Sequence, residues 1–470
     1  MTFDQIAALV VLAAVVGVLI HGRIRPDVVA LSGAAVLLIL GVVRPGEVQG
    51  AFASPAIIAL AGLFVIAYAI ELSGLLAWLI QRATRLTQRL GARGIWLVIG
   101  LCGSVGGFLN NTPVVVLAAP VVRDMALSLN LSPKRFLMPL SYVVVMGGLL
   151  TLIGTSTNLL VNDMARNAGQ PVFGLFEITG VGLSIALTGA AYLYLVGGRQ
   201  LDRPARVEEV SMERRRRAEA RAQARAARRR WRFPAPDWLE RLRLGEARAT
   251  PDGSGDGVLG DIDLYEKGAE RPLQLGRALT SLAVFVAVIL AAALNIAPIA
   301  AAAFAGAVLL ILARVITAEE AYAGLRPEIL LLIAGMVVVG MAIEVTGLAQ
   351  AGAQALIGVV EPLGPMGALI IFYGVTLFAT ELLSNATVAV LITPIAVALA
   401  QALGVDARPF LVAVMMAASA AFATPFGYQT NVLVFQMAGY SYMDFVRVGA
   451  PLNLVTWVAA MVAIPIFFPF

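Results

Sequence analysis

The chain has 470 residues, 60% of them hydrophobic and 13% charged, with a net charge of +5 and a mean hydropathy of +0.87. That composition lies far outside water-soluble globular usage and indicates a polytopic membrane protein. The single Cys102 and single His21 exclude a disulfide framework and a His/Cys metal cluster, and no Gly-Lys-Ser/Thr phosphate loop is present.

In chain order, the first apolar stretch, Ile6–Ile20, follows "MTFDQ", which carries no positive charge, and reads as a retained membrane helix and not a signal peptide. Spans follow near 27–43 and 55–80, then an interrupted apolar segment at 95–122, a Gly/Thr/Asn-broken segment at 136–163 and a span at 173–197. After a polar linker the pattern recurs near 277–294, 297–314, 328–350, 365–399, 409–437 and 449–468. The recurrence extends to the letters, at one constant offset: "AIELSGL" at 69–75 returns as "AIEVTGL" at 342–348, and "GTSTNLLV" at 154–161 as "GYQTNVLV" at 427–434. "LNNTPVVVLAAP" at 109–120 answers "LSNATVAVLITP" at 383–394, where the offset is larger by one.

The chain therefore divides into a first repeat at 1–198, a linker at 199–276 and a second repeat at 277–470. The segments 95–122 and 365–399 read as re-entrant hairpins, which leaves five crossings per half. An odd number turns the second half upside down. The expected fold is all-α and polytopic: two inverted repeats, each of five transmembrane helices plus one re-entrant hairpin, with broken helices at the substrate site. Arg23, Arg25, Arg82, Arg85, Arg89, Arg93, Arg123, Lys134, Arg135, Arg314 and Arg326 fall on one side if both termini are extracytoplasmic, with Arg44, Arg166 and Arg408 as single exceptions. The connection at 351–364 carries no Lys or Arg, as an external loop would.

The linker holds "ERRRRAEARAQARAARRRWRFPAPDW" at 213–238, expected to form a cytoplasmic helix lying on anionic lipid headgroups and not on nucleic acid. "TPDGSGDGVLGD" at 250–261 reads as flexible connection.

The deep segments contain no Lys or Arg; their charges are Glu71, Glu344, Glu381 and, at a span end, Asp163. Asn, Ser, Thr, Gly and broken backbone remain, which at membrane depth must be buried in protein or line a cavity. Free N–H groups at a half-helix start suit an anion; free carbonyls with Asn and Thr oxygens suit Na⁺. An anion buried without a fixed cation costs on the order of several kcal/mol per charge, so a co-bound cation is expected to neutralise it. The residues thus point to cation-coupled symport of a small anion, with Na⁺ as coupling ion and no cofactor. The plain alternative is that these polar groups only bond to neighbouring helices. Glu381, three residues before Ser384, is a candidate proton or cation ligand, which keeps a Na⁺/H⁺ antiporter open. Tyr428 and Gln429 stand where the first copy has Thr155 and Ser156, and so break the symmetry of a substrate pocket. A membrane sensor acting through the linker is the non-transport reading.

At these residues the sequence resembles the divalent anion/sodium symporter family, most closely its bacterial sulfate-permease-like branch. The family's paired Ser-Asn-Thr tips correspond to Asn110-Asn111-Thr112 and Ser384-Asn385-Ala386, and its broken helices to 152–161 and 423–434. The resemblance implies a homodimer in the bacterial inner membrane, working by an elevator motion. It implies one sodium at Gly106, Asn110, Asn111, Gly154 and Asn158, and another at Thr380, Asn385, Ala423 and Asn431. Substrate would touch Asn110, Asn111, Thr112, Ser384, Asn385 and Ala386, with Thr387 compensating for the hydroxyl that Ala386 lacks. That lost hydroxyl favours sulfate or a related divalent oxyanion over a C4-dicarboxylate. The TrkA-C domains of many branch members are expected to be absent, because the linker lacks strand patterning.

Overall fold

The computed structural model describes residues 2–21, 24–87, 90–201 and 273–470. The Arg-rich run at 213–238, its headgroup contact, the connection at 250–261 and the TrkA-C expectation lie outside the described residues.

The first half runs α1 (Phe3–His21), α2 (Pro26–Ile39), α3 (Pro45–Phe52), α4 (Pro55–Leu72), α5 (Leu75–Thr87), α6 (Ala92–Gly106), α7 (Asn111–Ser128), α8 (Lys134–Gly147), α9 (Ser156–Asn167) and α10 (Thr179–Tyr192), the last continuing through a π turn at Leu193–Gly197. The second half repeats the order as α11 (Leu275–Ala293), α12 (Ile299–Leu312), α13 (Ala318–Gly324), α14 (Pro327–Val345), α15 (Leu348–Val360), α16 (Gly364–Leu382), α17 (Asn385–Leu403), α18 (Arg408–Ala418), α19 (Gln429–Ala438) and α20 (Tyr442–Phe467). Each element matches the one numbered ten lower. The described residues contain no strand. Seven helices among them are long and apolar enough to cross a membrane, with shorter apolar helices of 10–17 residues between.

Two expected spans are each two helices. The runs at 55–80 and 328–350 break at Gly74 and Gly347, both left-handed with φ of 72° and 73°, a conformation that disfavours any side chain. Ser73 and Thr346 end the preceding helices by donating their hydroxyls to the carbonyls of Ile70 and Ala342. The apolar letters continue beyond each glycine into α5 and α15, so hydropathy alone registers one run. The connection at 351–364, read as a loop, is for the same reason largely helical. Ahead of α4 and α14 lie the short helices α3 and α13, each started by a glutamate that accepts from the backbone N–H preceding the helix, Glu47 from Arg44 and Glu320 from Thr317.

Close approach of small residues holds the centre. Between membrane helices lipid supplies no hydrophobic drive, so tight van der Waals contact has to do the work. Helix α2 packs on α14, and α4 on α12. A β-carbon on Gly62 would lie 2.6 Å from the carbonyl of Ala303, and one on Gly335 would lie 2.7 Å from the carbonyl carbon of Ala30. Gly335 is the repeat counterpart of Gly62, and Ala303 that of Ala30, so each crossing is the other with the halves exchanged. Beside this framework, α6–α7 and α16–α17 form two hairpins, while α8–α9 and α18–α19 form two broken helices. Each hairpin leans on the broken helix of the opposite half, α7 on α19 and α17 on α9.

Candidate functional site

The two hairpins turn at matched caps. Asn110 precedes α7 and accepts the Thr112 N–H on Oδ1 at 3.1 Å; Ser384 precedes α17 and accepts the Thr387 N–H on Oγ at 3.3 Å. Asn111 and Asn385 are therefore first residues of helices whose free N–H groups gather at the tips, where the dipole favours negative charge. Thr387 does not fill the role expected of it. Its hydroxyl lies 2.7 Å from Ser384 Oγ and the residue is fully buried, so it reinforces the cap while Ala386 lines the cavity.

The helix breaks are held open by a paired device. The Nδ2 of Asn158 donates to the carbonyls of Gly148 and Thr151 at 3.3 and 3.0 Å, and that of Asn431 to Ala421 and Thr424 at 2.9 and 3.4 Å. The four acceptors are two repeat pairs, Gly148 with Ala421 and Thr151 with Thr424. Backbone freed from the helical ladder thus finds its donors in side chains. Asn431 Oδ1 accepts from Ser141 Oγ at 2.8 Å, which leaves Asn431 a brace of the break with its oxygen engaged. Asn158 Oδ1 is buried without a partner.

The halves differ most at the cradle before each tip. In the second half, Thr380 Oγ1 sits 2.9 Å from Asn385 Oδ1 and 2.7 Å from the carbonyl of Ala418. In the first half the matching residue is Gly106. A β-carbon there would lie 2.7 Å from the Val144 carbonyl and 3.2 Å from Asn111 Oδ1, and that Oδ1 is buried with no hydrogen-bond partner. Gly154 closes the same region, since its β-carbon would come 2.5 Å from the Gly148 carbonyl and 2.9 Å from that of Gly107. A buried carboxamide oxygen with no donor, among backbone carbonyls, is a cation-type environment.

Glu381 is committed to the second break. Its carboxylate accepts the N–H groups of Ala423 and Thr424 at 2.7 and 2.9 Å and the Nδ2 of Asn453 at 2.8 Å. Three donors hold the carboxylate in place. Sequence reasoning placed Glu381 near the site but missed its partners Thr424 and Asn453; the one available signal was an asparagine inside the apolar run 449–468.

A cavity of about 380 Å³ lies between these parts. Asn110, Asn111, Thr112, Ser384, Asn385 and Ala386 all line it, with Glu381, Tyr428 and Gln429, and none of its lining residues is Lys or Arg. The opposite wall is apolar, with Leu60, Leu63 and Phe64 of α4 and Ile329 and Leu332 of α14. A second cavity of about 340 Å³ shares Phe64, Ala67 and Asn110 with the first and carries Glu71, Arg326 and Glu328. The only guanidinium near the tips among the lining residues therefore belongs to this vestibule. Across the main cavity, Asn111 Nδ2 donates to the Tyr428 hydroxyl at 2.9 Å and Thr112 Oγ1 to Gln429 Oε1 at 3.3 Å, so the residues that break the repeat symmetry tie the first tip to the second break.

The model of the citrate transporter family (CitMHS) matches residues 10–409 and 382–470. An uncharacterized transporter of Synechocystis is 25% identical over 92% of both chains, and the uncharacterized transporter YfbS of Escherichia coli is 26% identical over the whole of both. Over a shorter segment, 32% of this chain and 17% of its own, sodium/sulfate cotransporter 1 of Chlamydomonas reinhardtii is 36% identical. Among solved structures, the Alcanivorax borkumensis YdaH transporter superposes with a TM-score of 0.57 over 90% of this chain and 86% of its own at 14% identity, a likeness of fold alone.

Proposed function

The chain belongs to the citrate transporter (CitMHS) family, of the divalent anion/sodium symporter type, and from that premise we propose that it carries out sodium-coupled symport of a divalent oxyanion. Sulfate or a close relative is the first candidate, a C4-dicarboxylate the second. One observation carries the reading: the cavity between the two tips is lined by amides, hydroxyls and helix starts, with Glu381 its only charged lining residue. An anion placed there finds donors but no fixed counter-charge, and its neutralisation falls to ions that arrive with it. Sodium is assigned to Asn111 Oδ1 with the Gly106, Gly154 and Asn158 region, and to Asn385 with Thr380 and Ala423.

The paired Gly62 and Gly335 crossings fit two repeats, and we take these as inverted, with both termini outside a bacterial inner membrane. A fixed framework, a moving carrier and an elevator-type cycle in a homodimer complete the proposal. The three hydrogen bonds on the Glu381 carboxylate fit a brace of the second break, and symport is the reading preferred over proton exchange there. Uptake of sulfate, thiosulfate, succinate and citrate into proteoliposomes, each with and without a sodium gradient, tests the assignment. Sodium-stimulated entry of one anion is the expected result; flux indifferent to every Na⁺ and H⁺ gradient would overturn it.

A further inference from the structure

We infer that Tyr428 is a positioning residue for the cation site of the first half, aiming the Asn111 carboxamide so that its oxygen faces the Gly106 cradle. The inference rests on the reading of Asn111 as a cation ligand. A carboxamide has one acceptor end and one donor end. At Asn111, which is 2% exposed, the donor end is spent on the Tyr428 hydroxyl at 2.9 Å. The acceptor end is left buried and unpartnered beside Gly106. The hydroxyl that meets Asn385 Oδ1 in the second half, on Thr380, has no counterpart at Gly106. The phenol supplies the missing constraint from 317 residues away in sequence.

Tyr428 is itself held. It is the residue before α19, in extended backbone (φ −147°, ψ 144°) as its repeat counterpart Thr155 is before α9 (φ −138°, ψ 144°). Its hydroxyl meets the first tip through Asn111. Gln429 repeats the link one residue on, to Thr112. The second half is built differently: Ala386 has no hydroxyl to offer Ser156, and Thr380 meets the Asn385 oxygen directly. A residue of the second half therefore sets the cation affinity of the first.

The test is the sodium dependence of uptake, together with sodium-induced thermal stabilisation of the purified protein without substrate. Tyr428→Phe keeps the ring and removes the hydroxyl. It is expected to raise the half-saturating Na⁺ concentration about tenfold in both assays. A carboxylate presents oxygen at both ends and needs no aiming, so Tyr428→Phe introduced into Asn111→Asp is expected to change the Na⁺ midpoint less than about twofold. An unchanged midpoint in Tyr428→Phe, a loss falling wholly on substrate half-saturation, or the full tenfold loss in the Asn111→Asp background would each overturn the positioning role. If wild-type uptake ignores Na⁺, the symport reading itself fails; if wild-type uptake depends on Na⁺ and Tyr428→Phe matches it, only the positioning role fails.

Discussion

Asn158 and its repeat counterpart Asn431 brace the two helix breaks in the same way, each with its amide nitrogen across two backbone carbonyls. They differ in the other end of the side chain: Asn431 Oδ1 accepts from Ser141, whereas Asn158 Oδ1 has no partner. Replacement by leucine removes donors from two buried carbonyls in either case. Each variant should lose about 1–3 kcal/mol of stability, with Asn431→Leu the worse because it also removes one of the two partners of the Ser141 hydroxyl, leaving it Thr430 alone. Denaturation midpoints in detergent measure both, and equal losses would count against the difference.

The framework crossings give a second pair. With backbone 2.6–2.7 Å from where a methyl group would sit, Gly62→Ala and Gly335→Ala each force α4 from α12 or α14 from α2. Each should cost about 1–3 kcal/mol, and melting temperatures should fall by similar amounts in the two variants.

At the tips, Asn111→Ala and Asn385→Ala remove the carboxamides from a cavity that has no basic side chain to take their place. Sodium-driven uptake should drop at least about a hundredfold in each, while size-exclusion profiles match the parent. Retained uptake in proteoliposomes would show that cargo and coupling ion bind elsewhere.

For Glu381→Gln, the amide offers one acceptor where the carboxylate offers two, and points an N–H₂ group at a backbone N–H of Ala423 or Thr424. Loss of about 2–4 kcal/mol of stability is expected, with residual uptake keeping the parent's pH profile. A pH optimum displaced by a unit or more would instead mark Glu381 as a proton carrier.

Much of this architecture can be read from the letters, for identifiable reasons. The twelve apolar segments of the sequence lie on helices because hydropathy registers burial in lipid irrespective of partner. The Asn tips stand out because a polar triplet inside an apolar run is costly at membrane depth unless it lines a cavity or packs on protein. The turns at Gly74 and Gly347 are hidden, since the residues after each glycine stay apolar. The grip of Glu381 on Ala423, Thr424 and Asn453 and the link from Asn111 to Tyr428 join residues 42 to 317 positions apart. No local pattern records such pairs. Thr387 departs from its expected role because sequence adjacency to Ala386 says nothing of direction: one residue further along a helix turns the side chain by about 100°, away from the cavity and onto Ser384.

The wall formed by Leu60, Leu63, Phe64, Ile329 and Leu332 has a kinetic meaning. Its side chains carry no hydrogen-bond donor or acceptor, so under the proposed symport an ion would dwell on the opposite face. Hydroxyls grafted onto the greasy side would create a trap and slow the cycle, even if they tightened the grip on the cargo.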